Sequence, residues 1–160
     1  MERFKEISCT VNGSKVTTAV DVRESLTDFL RNDLDLKSVK KGCEAGECGA
    51  CTVNIDGETY NSCLYLAIWA DGKNIRTLEG FSGQNGEISD IQQAFIDEGA
   101  IQCGFCTPGM IVSAENVLEK NIELSRDEIR SYMAGNLCRC TGYENIVTAI
   151  EKTIKKRKQR

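Results

Sequence analysis

The sequence predicts an α+β protein, with a mixed sheet-and-helix unit over residues 1–79 followed by a helical unit over residues 80–160. Two observations carry this. Apolar residues alternate with a period of two in the first half and recur at about 3.6 residues in the second. Between the halves, Gly80, Ser82, Gly83, Asn85 and Gly86 crowd into one short stretch with turn chemistry and little to bury, which marks the boundary.

The elements follow in order. Ile7, Cys9 and Val11 alternate, Asn12-Gly13 turns the chain, and Val16, Thr18 and Val20 alternate again, which is a hairpin signal. Leu26, Phe29, Leu30 and Leu34 share one face of a short helix. Cys51 to Ile55 reads as a strand, Asp56-Gly57 as a turn, and a partner strand runs on to near Cys63. Residues 64–71 fit either strand or short helix, and Ile75 to Leu78 reads as a closing strand. The first helix of the second half has the capping box Ser89-x-x-Gln92, turns Ile88, Ile91 and Phe95 inward and stops at Gly99. The second opens at Thr107 with Pro108 at its first position and carries Ile111, Ala114 and Leu118 on one face. The third has Ser125-x-x-Glu128 followed by Ile129, Tyr132 and Met133, and the fourth has Ile146, Ile150 and Ile154.

Apolar residues make up 41 % of the chain and charged residues 28 %, the balance of a soluble globular protein. No apolar run reaches membrane-spanning length, and Met1 to Glu6 has no secretory apolar core, so a cytoplasmic location is expected. A net charge of −4 leaves no electrostatic footprint for nucleic acid. The basic run Lys155 to Arg160 reads as a solvated helix end favoured by the helix dipole.

The nine cysteines, with no histidine, stand apart from this ordinary composition. Disulfides need an oxidising compartment to which nothing directs the chain, and an odd count fits a complete framework poorly. Clustered cysteines in a cytosolic chain are better read as metal ligands or redox groups. Cys43, Cys48, Cys51 and Cys63 have the spacing C-x4-C-x2-C…C, the plant-type ferredoxin arrangement for a [2Fe–2S] cluster. Two irons, each needing two thiolates, require four cysteines to converge. Gly42, Gly46 and Gly49 let the loop fold tightly enough to aim backbone N–H groups at the sulfurs. Zinc is the rival, but its sites favour paired cysteines across a longer spacer.

Cys103, Cys106, Cys138 and Cys140 form a second set spaced C-x2-C-x31-C-x-C. Each pair falls in a loop at a helix junction, and in an up-down bundle the two loops share one end. Each pair also precedes a helix N-terminus, where negative charge is favoured. On spacing alone this set also fits zinc. Cys9 remains, as a small core residue on the first strand.

Three stretches are distinctive: Ser38 to Thr52 around Cys43, Gln102 to Gly109 around Cys103, and Gly135 to Tyr143 around Cys138. In these the chain resembles the small iron–sulfur subunit of the molybdenum hydroxylases, the xanthine dehydrogenase family. The likeness runs from about residue 7 to 150 and keeps all eight ligand positions. Asn61 to Gly80 is most similar to the bacterial xanthine dehydrogenase subunit. The resemblance implies a β-grasp ferredoxin-like domain followed by a four-helix bundle, each binding one [2Fe–2S] cluster. It implies that xanthine or hypoxanthine is hydroxylated at a molybdenum–pterin centre in a large partner subunit. Electrons would pass to the helical-domain cluster, then to the ferredoxin-type cluster, then to FAD in a medium subunit, with NAD as the final acceptor. Gln102 would hydrogen-bond the pterin, and Cys140 would ligate iron while linking cluster to cofactor. The assembly would be a hetero-oligomer such as a dimer of heterotrimers.

This chain has no candidate catalytic base or nucleophile of its own, in keeping with a relay. Its alternatives are the small subunit of a nicotinate, aldehyde or carbon monoxide dehydrogenase of the same family, a free-standing two-cluster ferredoxin, and a zinc-stapled interaction module.

Overall fold

The computed structural model describes residues 3–83 and 85–159. Met1 and Glu2 of the N-terminal segment, Gln84, and Arg160 of the basic run lie outside the described residues. Five strands form one sheet in the order β2-β1-β5-β3-β4. Strands β1 (Phe4–Val11) and β2 (Ser14–Asp21) pair as an antiparallel hairpin. Asn12 and Gly13 both have positive φ (50° and 81°), as the tight hairpin turn between right-twisted strands requires. Ile7, Cys9 and Val11 point into the core, so Cys9 is a buried thiol, as its alternation implied.

A short α1 (Leu26–Asp28) is capped by the Ser25 hydroxyl and widens into a π-helical turn over Phe29–Asp33. Leu26, Phe29 and Leu30 are fully buried. Strands β3 (Thr52–Ile55) and β4 (Glu58–Asn61) form the second hairpin across Asp56-Gly57. The ambiguous stretch 64–71 is neither strand nor α-helix: 3₁₀ turns occupy Ser62–Leu64 and Ala67–Ala70. The closing strand β5 (Asn74–Arg76) is shorter than expected, because a 3₁₀ turn takes over at Leu78–Phe81. β5 pairs parallel with β1 and antiparallel with β3.

Helices α2 (Asp90–Asp97), α3 (Thr107–Glu119), α4 (Arg126–Tyr132) and α5 (Glu144–Lys158) enclose a second cluster of buried side chains that includes Phe95, Met110, Ile129 and Ile150. The Ser89/Gln92 and Ser125/Glu128 capping boxes both form. Ile88 departs from expectation: it is exposed, because it precedes the cap and lies off the helical stripe. Helix α3 departs further. Its expected single apolar face is instead burial on every side from Pro108 to Leu118, polar Ser113, Glu115 and Asn116 included. The cause is a double contact: α3 packs on β3 and β4 as well as on α2 and α5. Among the described residues no helix is long and apolar enough to cross a membrane.

Candidate metal centres

Cys43 and Cys48 lie in an irregular loop before β3, Cys51 immediately precedes that strand, and Cys63 sits in the 3₁₀ turn that follows β4. The loop wraps around the Cys43 sulfur. The N–H groups of Ala45, Glu47 and Cys48 donate to it at 3.4, 3.3 and 3.4 Å, and the Cys43 N–H donates to the Cys48 sulfur at 3.4 Å. These donors, the Ala45 N–H foremost, hold the Cys43 thiol down at about 7, so the thiolate is favoured. The cradle has no room for side chains. A Cβ on Gly42 would lie 2.7 Å from the Cys48 sulfur, and one on Gly46 would lie 2.4 Å from Leu64 Cδ1. Cys51 faces Cys63, and burial pushes its thiol up to about 11. The Ser62 hydroxyl fixes this pair by donating to the Cys51 carbonyl at 2.7 Å.

The second set is assembled as expected from two loops. Cys103 and Cys106 lie between α2 and α3, and Cys138 and Cys140 lie just before α5. The Cys103 and Cys140 sulfurs are 3.6 Å apart. Cys106, the residue capping α3, faces Cys138; burial, then that neighbour, push its thiol up to about 12. Cys138 moves the other way: burial would raise it, but the Thr141 hydroxyl and N–H, at 3.1 and 3.4 Å from its sulfur, outweigh burial and lower it. Cys140 is raised, chiefly by Cys103. Tyr143 accepts from the Cys138 N–H at 2.8 Å and adopts the left-handed backbone (φ 68°) from which α5 starts.

Each set therefore contains two facing pairs, Cys43/Cys48 with Cys51/Cys63 and Cys103/Cys140 with Cys106/Cys138. Two thiolates for each of two irons is what a [2Fe–2S] cluster asks for. The donor chemistry suits its negative charge: backbone N–H groups at Cys43, and Thr141 and helix N-termini at the second set. Among the described residues no three or more His, Cys, Asp or Glu are gathered as ligands of a single ion.

Two sequence models match, a 2Fe-2S iron-sulfur cluster binding domain over residues 9–75 and a [2Fe-2S] binding domain over residues 77–151. The chain is 50 % identical to the nicotine 6-hydroxylase small subunit of Paenarthrobacter nicotinovorans, over 91 % of this chain and 87 % of that one. It is 51 % identical to the xanthine dehydrogenase iron-sulfur-binding subunit of Escherichia coli O157:H7, over 92 % and 94 % respectively. The chain belongs to the iron–sulfur subunits of the molybdenum hydroxylases. The crystal structure of quinoline 2-oxidoreductase from Pseudomonas putida 86 agrees, with a TM-score of 0.91 at 45 % identity, covering 96 % of this chain and 94 % of that one. Against the aldehyde oxidoreductase of Megalodesulfovibrio gigas, 44 % identical, the chain covers only 16 % of the relative, where the corresponding stretch is part of a much longer polypeptide.

As a molybdenum hydroxylase iron–sulfur subunit, the chain is a non-catalytic electron-transfer component of an oxidoreductase with larger partner chains. Bound [2Fe–2S] clusters supply its redox chemistry. Gln102, Cys103 and Cys140 are exposed. Sequence reading missed the residues that join the two sets. The Leu137 N–H donates to the Cys48 carbonyl at 2.9 Å. The buried Asn136 side chain reaches the Gly49 carbonyl at 3.0 Å. Asn136 stands inside the quoted motif around Cys138, but a lone loop amide gave no signal that it reaches the other half of the chain.

Proposed function

We propose that this subunit relays electrons from a molybdenum–pterin centre, through the Cys103 cluster and then the Cys43 cluster, to FAD. Cys43, Cys48, Cys51 and Cys63 hold one cluster; Cys103, Cys106, Cys138 and Cys140 hold the other. The observation that carries the reading is that each thiol set keeps an exposed member while the two sets meet inside the chain. Cys103 and Cys140 are exposed in one set, and Cys43 is exposed in the other. Between them the two sets meet across the 2.9 Å hydrogen bond from Leu137 to Cys48. A free-standing ferredoxin needs only one cluster with one exposed edge; a relay between two fixed cofactors needs two.

The chain divides into a β-grasp, ferredoxin-like domain over residues 1–79 and a four-helix bundle over residues 80–160. Support comes from the two buried clusters of side chains and from matching models that part between residues 75 and 77. Gln102 and Cys140 face the pterin, held by a large subunit, and FAD sits in a medium subunit near Cys43. The assembly is a cytoplasmic hetero-oligomer, such as a dimer of heterotrimers. Its substrate is xanthine or hypoxanthine. The relatives named for nicotine, xanthine and caffeine stand at 50, 51 and 49 % identity, and all three names denote nitrogen heterocycles.

The test is made on the complex purified with its partner chains. Cys43→Ala is expected to remove one paramagnetic signal of the reduced protein, and Cys103→Ala the other. Cys103→Ala should also stop substrate from reducing the remaining cluster. If the Cys43 cluster is still reduced by substrate at the unaltered rate in Cys103→Ala, the order of the relay is wrong.

A further inference from the structure

Asn136 lies between the two thiol sets and touches the loops of both. It is 5 % exposed, and both its amide N–H donors and its carbonyl oxygen are engaged. Its Nδ2 donates to the Gly49 carbonyl at 3.0 Å and to the Thr52 hydroxyl at 3.1 Å, and its Oδ1 accepts from the Ser113 hydroxyl at 2.7 Å. Gly49 lies between Cys48 and Cys51, and Thr52 follows Cys51. Asn136 itself stands two residues before Cys138, and Ser113 is on the helix that Cys106 caps. One side chain thus ties a loop of the first set to a loop and a helix of the second.

The backbones around this amide are at closest approach. A Cβ on Gly49 would lie 2.3 Å from the Gly135 carbonyl oxygen, and a Cβ on Gly109 would lie 2.3 Å from the Gly49 oxygen. Nothing larger than glycine fits at either place without the loops separating. The Leu137 to Cys48 hydrogen bond is the next contact along.

We propose that Asn136 is a positioning residue that sets the separation and orientation of the two clusters, and through them the passage of electrons from one to the other. This rests on the ligand sets proposed above. Aspartate has the same shape but no donors, so Asn136→Asp cannot hold the Gly49 carbonyl and turns an oxygen toward it. Gly109→Ala keeps the amide and pushes the Gly49 loop away from α3.

The experiment uses the whole complex, fully reduced, and measures the magnetic interaction between the two cluster spins as a mutual splitting of their signals. That interaction falls as the inverse cube of separation. In the unaltered complex two signals are expected, each split by the other. In Asn136→Asp and Asn136→Ala both signals should persist at full intensity while the splitting changes measurably, and electron arrival at the second cluster after a single turnover should slow. Gly109→Ala should do the same with Asn136 intact, and it serves if the Asn136 variants do not assemble. A purely structural amide would lower the melting temperature and leave the splitting unchanged; that result in any of these variants overturns the proposal. Absence of two distinct [2Fe–2S] signals from the unaltered complex would instead sink the ligand assignment on which it stands.

Discussion

Replacing Arg157 with leucine tests how the helices that carry the second thiol set are held. Arg157 was expected to be a solvated residue of a basic helix end; instead its guanidinium turns inward. Its Nε donates to Asp90 at 2.9 Å, and its Nη2 donates to both Glu115 oxygens at 3.0 Å. The tie joins α5 to α2 and α3, the helices on either side of the Cys103–Cys106 loop. The Glu115 side chain is 6 % exposed and that of Arg157 is 27 % exposed. Breaking a buried pair costs about 3–5 kcal/mol, and the exposure of Arg157 brings this to roughly 2–4 kcal/mol. For a chain of this size that is a fall of ~5–15 °C in melting temperature.

The pH dependence identifies the cause. Burial holds the Glu115 carboxyl above its ordinary value, with Asp90 and Glu119 adding to the rise and Arg157 opposing it. The folded state therefore binds this proton more tightly than the unfolded chain does. Its contribution to stability falls as pH rises from the unfolded value through the folded one, and levels off above. Without Arg157 the folded value climbs further, so the part of the loss that comes from Glu115 should be smaller at about pH 5 than at about pH 8. Thermal unfolding by far-ultraviolet circular dichroism across that range reads both ends. Glu115→Gln in the same chain should restore the Glu115 part of the loss at the upper end. A loss of equal size at both ends, unrelieved by Glu115→Gln, would mean that Arg157 acts through Asp90 or its alkyl chain and that the Glu115 account is wrong.

Two further outcomes are expected. Gly46→Ala forces an L-residue to φ 78°, at a cost of about 1–2 kcal/mol, and sets a methyl against Leu64. The first cluster should bleach at lower temperature while the second is unaffected, and adding Leu64→Ala should recover only the contact part; visible absorbance and paramagnetic signals recorded during heating check this. Thr141→Val removes the hydroxyl donor 3.1 Å from the Cys138 sulfur, so the second cluster's reduction potential should fall by roughly 20–60 mV, taking about 1 kcal/mol of lost stabilisation for a one-electron couple. Redox titration reads that shift, and a rise in potential would contradict the assigned role of Thr141.

What was legible in the sequence follows the range of the interactions. Asn12-Gly13, Asp56-Gly57 and the two capping boxes act within a few residues of themselves, and all formed where expected. The alternation at Ile7, Cys9 and Val11 fixed which face of the strand is buried. The C-x4-C-x2-C spacing reads as a cluster loop because the loop itself supplies the donors, as the three N–H groups on Cys43 show. The misses are long-range. The contact of α3 with β3 and β4 is not encoded in the period of α3; it shows only as the odd persistence of buried polar Ser113, Glu115 and Asn116 among its apolar residues. Each of these is satisfied by a residue far away in the chain: Asn136, Arg157, and, for Asn116, the Gly57 carbonyl. Sequence adjacency could not pair them.

The exposed apolar side chains follow the same logic one level up. Ile101, Phe105 and Leu137 flank the second cysteine set, at 37, 48 and 54 % exposure, and Leu64 flanks the first at 61 %. A protein that worked alone would gain by burying or replacing them, since apolar surface beside a negatively charged cluster attracts adventitious contacts. They belong to, or in the case of Leu64 pack against, the loops that carry the most exposed thiols, Cys103 and Cys140 in one set and Cys43 in the other. In the Megalodesulfovibrio gigas relative, the corresponding stretch is only 16 % of one long polypeptide, so there the same fold is covalently bound to what surrounds it. A separate small subunit meets its larger partners through its surface, and apolar side chains beside its exposed thiols give those chains a contact from which water can be excluded.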